Sequence, residues 1–110
     1  MMLHVSYVYY LMVQFGHFVP REPTVLRIKV ELQRFDSSPG NYALIDATWT
    51  IRPLKGEAVL TCRSRINEDA GQGYAGLVAG HQRALSELAE RIARVAPAMA
   101  AGSTPACPAG

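Results

Sequence analysis

From Leu26 to Leu32 apolar and polar residues alternate without a break, so that Leu26, Ile28, Val30 and Leu32 share one face and Arg27, Lys29 and Glu31 the other. A period of two is the mark of a half-buried strand. The alternation slips between Leu32 and Phe35, which predicts a bulge or a strand end there. Residues 36–41 then gather Asp, Ser, Pro, Gly and Asn, each a turn former for its own reason. A second strand is predicted over residues 42–52, with Ile45, Ala47, Trp49 and Ile51 inward and Asp46, Thr48, Thr50 and Arg52 outward. After a tight connection at residues 53–56, residues 57–66 set Ala58, Leu60, Cys62, Ser64 and Ile66 against Val59, Thr61, Arg63 and Arg65, and the two strands read as a hairpin.

The period changes beyond residue 73. Tyr74, Leu77, Val78, His81, Leu85, Leu88, Ile92 and Val95 fall three or four apart, which predicts a helix over residues 74–95 with that stripe inward. Leu85 and Leu88 are expected in the core with Trp49. Glu87 with Arg91 and Glu90 with Arg94 have the favourable i,i+4 orientation, and both arginines suit a helix C-terminus. Gly73, Gly76, Gly80 and Ala84 form a second stripe of small residues, read as a place of close approach to the sheet or to a neighbouring subunit. Pro97 is predicted to stop the helix, leaving residues 97–110 as a disordered tail.

Ahead of the sheet, residues 1–19 carry no charge, and residues 3–13 are dense in Tyr, Val and Leu. The reading is a strand that pairs with the edge beside residues 26–32, because an uncharged edge of that composition is otherwise aggregation-prone. Pro20 and Pro23 bracket a polar break. His4, Ser6, Gln14 and His17 make the segment a poor membrane span, and it shows neither the basic start and cleavage site of an export signal nor a lipidation Cys.

Composition narrows the function. One hundred and ten residues make one domain, and 18% charged residues is low against about 25% in an average soluble domain, so part of the surface is expected to be covered. The net charge of +2 is spread along the chain, which argues against nucleic acid. Cys62 and Cys107 have no CxxC spacing and no neighbouring His, so neither a metal nor any other cofactor is expected. They are not expected to bond to each other either, since the tail is not expected to dock.

Each candidate for chemistry has a plainer alternative. Asp46 could serve as a general acid or base beside Trp49, its pKa raised by the indole; an outward carboxylate paired with an Arg or Lys on the next strand is favoured. His81 lies on the apolar helix stripe and reads as a half-buried residue rather than a ligand. Arg27, Lys29, Arg52, Arg63 and Arg65 fall on the polar sheet face without the aromatics of an RNA-binding sheet, so a solvated or oligomer-contacting face is favoured. Tyr7, Tyr9 and Tyr10 read as an interface belt or as edge packing.

Three stretches, in order, resemble the ABC-type transport auxiliary lipoprotein (PqiC-like) family. LRIKVELQRFD at residues 26–36 is similar to the family's strand ending in Arg34, Phe35 and Asp36. IDATWTI at residues 45–51 is similar to its strand bearing Asp46, Ala47 and Trp49, and LVAGHQRALSELAERIA at residues 77–93 to its terminal helix. The resemblance covers residues 24–96, its C-terminal part only, and leaves residues 1–23 unmatched; it gives those six residues a structural role and no catalytic one.

The fold class expected is α/β in two layers: a sheet of at least three strands packed against a C-terminal helix, an incomplete α/β sandwich. The resemblance implies a non-catalytic periplasmic subunit at the outer membrane. It would work with an MCE-domain transporter subunit in phospholipid movement between membranes and assemble with copies of itself, with phospholipid as a candidate ligand. The alternative is a stand-alone periplasmic protein-interaction or ligand-binding module. A small hydrolase would need a nucleophile joined to Asp46 or His81.

Overall fold

The computed structural model describes residues 5–13, as backbone, and residues 24–108. Four strands, β1 (Val5–Val13), β2 (Thr24–Ser38), β3 (Tyr42–Pro53) and β4 (Leu60–Asp69), form one antiparallel sheet in chain order, and the helix α1 (Gly73–Ala100) follows. The arrangement is the expected α/β two-layer one. β1 pairs with β2 from Val5 opposite Leu32 to Val13 opposite Thr24, the edge predicted for it. The polar break between Pro20 and Pro23 lies outside the described residues, as do the side chains of Tyr7, Tyr9 and Tyr10.

The slip in alternation is a bulge: Leu32 faces Ala47 but Arg34 faces Asp46, so Gln33 is the extra residue. Without it Arg34, Phe35 and Asp36 would each point to the other face. The turn at residues 39–41 is tied to the linker ahead of α1 by Gly40 N–H donating to the Gly71 carbonyl at 3.0 Å and Ala70 N–H to the Asn41 carbonyl at 3.3 Å. Gly40, at φ 78°, supplies the left-handed conformation the turn requires.

The apolar sheet face carries Leu26, Ile28, Val30, Leu32, Ile45, Ala47, Trp49, Ile51, Leu60, Cys62 and Ile66, all buried beneath α1. Trp49, fully buried between Val30 and Cys62 in the register, donates its indole N–H to Ser64 Oγ at 3.0 Å. That bond satisfies the one polar atom the indole takes into the core.

α1 sits on this face differently from the expected orientation. Its buried row is Gly80, Ala84, Leu88, Ile92, Val95, Ala96 and Met99, whereas Tyr74 is 82% and Leu85 43% exposed and Val78 also faces outward. Gly80 and Ala84 of the small-residue stripe therefore face the sheet, with Gly76 against the linker at Gly71 and Gly73 exposed, and the inward placement of Leu85 is corrected. The reason is clearance: a Cβ on Gly80 would stand 3.2 Å from both the Ala43 Cβ and the Asp69 carbonyl oxygen. A Cβ on Gly76 would overlap the backbone of Gly71 outright. Backbone this close leaves the larger row of the first turns pointing away.

Pro97 does not end the helix, which runs on to Ala100. Pro97 and Ala93, the residue whose carbonyl loses its donor, are both exposed, so water can take the place of the missing bond, while Ala96 and Met99 on either side are buried. The true stop is Gly102 at φ 89°: its N–H reaches the Met99 carbonyl at 3.1 Å and Ser103 N–H reaches the Ala98 carbonyl at 3.0 Å. This is the Schellman pattern. Arg91 and Arg94 consequently lie within the helix, not at its end. Arg91 keeps its bond to Glu87, at 3.1 Å, and Arg94 turns toward Glu87, at 4.0 Å.

The disordered tail is likewise corrected, for Cys107 is bonded to Cys62. The bridge joins the inward face of β4 to the chain beyond α1, closing a loop that contains the whole helix. On the chain-entropy account a loop of this length stabilises by about 4 kcal/mol.

Candidate interaction surface

Among the described residues no element packs on the sheet face away from α1, the open face, and the register arranges its charges in rows across the strands. Arg27 lies opposite Arg52; Lys29 lies opposite Thr50, which lies opposite Thr61; Glu31 lies opposite Thr48 and then Arg63; Arg34 lies opposite Asp46 and then Arg65. The period-two pattern that buries the apolar residues brings all of these to one side. The five cations singled out from the sequence thus share one face, as expected.

Asp46 is the centre of one end of that face. Only 1% exposed, it accepts two bonds from Arg63, Nε to Oδ1 at 2.9 Å and Nη2 to Oδ2 at 2.6 Å. This bidentate pair, with help from the charges of Arg65 and Arg34, outweighs burial and holds the carboxyl below the ordinary value of 3.8. Trp49, three residues along the strand, is on the opposite face. The arrangement is that of a charge held ionised and capped, not of a carboxyl raised beside an indole to trade protons. Arg34 also bonds Asp36, and Lys29 pairs with Glu31 at 2.8 Å.

Phe35 points the other way, stacking on the His81 imidazole with ring centroids 4.0 Å apart and planes 16° from parallel. Burial lowers the His81 pKa, and its Nδ1 has no partner among the described residues. Ala47 lies beneath α1 beside Trp49. The six motif residues therefore divide between the faces: Arg34, Asp36 and Asp46 in ion pairs, Phe35, Ala47 and Trp49 in packing.

Among the described residues no three His, Cys, Asp or Glu side chains gather as metal ligands, and no helix is long and apolar enough to cross a membrane. The Cys62–Cys107 bridge was missed from the sequence because spacing carries no sign of which strand faces the tail.

The sequence pattern of one family, described as the ABC-type transport auxiliary lipoprotein component, matches residues 13–93. The chain belongs to that family. The match takes in most of the sheet and α1 as far as Ala93, and it starts at residue 13 rather than 24. No curated protein gives a significant match, and no solved structure does.

Proposed function

We propose that the chain is a non-catalytic auxiliary subunit of an MCE-type ABC transport system that moves phospholipid between membranes, docking the complex at the outer membrane. Its membership of the auxiliary-component family over residues 13–93 carries the reading. The chemistry of the open face supports it: Asp46, the most deeply buried acid among the described residues, is neutralised by Arg63, an arrangement that suits a fixed surface better than a reacting one. The disulfide supports a location outside the cytoplasm, because such bonds persist in oxidising compartments.

In this role the protein's surface is its function. The open sheet face and the outward row of α1, with Tyr74, Val78 and Leu85, are the regions available to an MCE-domain subunit or to further copies of the chain. Specific contacts of this kind bury about 800 Å² per partner. The test is affinity purification of the tagged full chain from a Gram-negative strain encoding its transporter. Co-purification of the MCE-domain subunit is expected. Its absence, with a chain that stays monomeric at high concentration, overturns the reading.

A further inference from the structure

The two ends of the open sheet face are charged differently. Around Asp46 the cations lie among acids: Arg63 pairs with Asp46, Arg34 with Asp36 and Lys29 with Glu31, and Arg65 stands opposite Asp46. At the other end Arg27 and Arg52 stand directly opposite each other on β2 and β3. Like charges facing across a strand pair repel, and among the described residues neither arginine has an ion-pair partner. The Nε of Arg27 is moreover buried with nothing to bond. A guanidinium nitrogen removed from water without an acceptor is costly, and an anion seated between the two arginines would relieve their repulsion and set a counter-charge beside the Arg27 guanidinium.

A second observation says what kind of anion. The loop from Pro53 to Leu60, at this same end of the sheet, presents Leu54 at 57% and Val59 at 51% exposure. Lys55 and Glu57 in that loop carry opposite charges, so the loop adds no net charge to that of Arg27 and Arg52. A free phosphate has no use for exposed Leu and Val, and an acidic protein partner would need an apolar patch shaped to meet them beside its carboxylates. A bilayer surface supplies both, headgroup phosphates for the guanidinium forks and an acyl boundary for the apolar tips.

We propose that the Arg27–Arg52 end of the open sheet face, with Leu54 and Val59, is a docking site for anionic phospholipid headgroups at a membrane surface. The choice of a lipid over other anions rests partly on the functional reading above; the unmatched arginine pair does not.

The experiment is co-sedimentation of the full chain with vesicles of phosphatidylcholine and phosphatidylglycerol in equal parts, with phosphatidylcholine vesicles alongside. Binding to the anionic vesicles is expected, falling with added salt. Arg52→Gln lowers it about five-fold, and Arg27→Gln with Arg52→Gln about thirty-fold, the worth of one and two basic residues near an anionic surface. Leu54→Ser lowers it as well. Arg65→Gln, an equal charge change at the matched end, lowers it less. Equal binding to both vesicle types overturns the proposal, as does an Arg65→Gln loss as large as that of Arg52→Gln. Competition by millimolar inorganic phosphate overturns the lipid in favour of a free anion. Arg52 is exposed, so its variant folds whatever becomes of Arg27. Lost vesicle binding with co-purification of the MCE-domain subunit intact sinks this site alone; the reverse result sinks the functional reading alone.

Discussion

The two faces of the sheet are written with the same period and stabilised by different physics. On the covered face Trp49, Ile45, Ile51 and Leu26 are fully buried, as is Met99 of α1, and what holds them is removal from water plus tight packing. On the open face the pattern is mostly charges and threonines, whose pairings are exposed except at Asp46 and Asp36. Covered-face changes are therefore expected to cost kilocalories, and open-face changes to cost little except where a charge is buried.

The largest expected effect is at the centre of the covered face. Trp49→Ala removes the largest core side chain and strands Ser64, and it should cost about 3 to 5 kcal/mol. A domain of this size has only about 5 to 15 kcal/mol in all, so the variant is close to unfolding. Denaturant titration followed by circular dichroism measures the loss. A cost below about 1 kcal/mol would mean that α1 does not seal this face.

Next is the bridge that fastens α1 over that face. Cys107→Ser should lower stability by up to about 4 kcal/mol in an oxidised sample and by nothing in one already reduced. Cys107 is exposed, so the change itself leaves no cavity in the core. Equal stability of the wild-type chain with and without reductant would show that the bridge contributes nothing.

These two predictions rest on features of unequal visibility in the sequence. The strand faces were readable because period two is local and side chains must alternate; the bulge at Gln33 and the β3–β4 hairpin were readable for the same reason. The orientation of α1 was not. The helix carries two stripes, and the apolar one containing Tyr74 and Leu85 outweighs the small one on hydropathy; only the backbone clearance at Gly76 and Gly80 decides for the second. Pro97 misled because its local penalty is offset by burial of Ala96 and Met99, although Gly102 carried a readable stop signal. The disulfide depends on where the tail returns, which no spacing encodes.

On the open face, Asp46 was legible as a paired carboxylate but not as a buried one, because alternation tells which face a residue takes and not what else lies over that face. Asp46→Ala should cost about 1.5 to 3 kcal/mol at neutral pH, the range for hydrogen bonds to a charged group. The carboxyl's folded-state pKa is lowered, so its contribution is fully present above its unfolded value near 3.8 and is lost as pH falls through the lower folded value. The gap between wild type and variant should accordingly narrow in acid. A gap unchanged from neutral pH to below both values would show that packing, not the ion pair, accounts for the cost.

The smallest effect has the opposite sign. Arg52 faces Arg27 with no counter-charge among the described residues, so Arg52→Gln relieves a repulsion and breaks no bond. It should raise stability by a few tenths of a kcal/mol, within the usual range for cross-strand pairs, and the gain should shrink as salt screens the two charges. If the arginine pair were a structural clamp, the same substitution would destabilise. Urea titrations at low and high ionic strength separate the cases: a gain confined to low salt marks a repulsion that the free protein carries for the sake of a bound anion. A loss at both would mean that Arg52 supports the sheet itself, leaving the two faces alike in what they contribute to the fold.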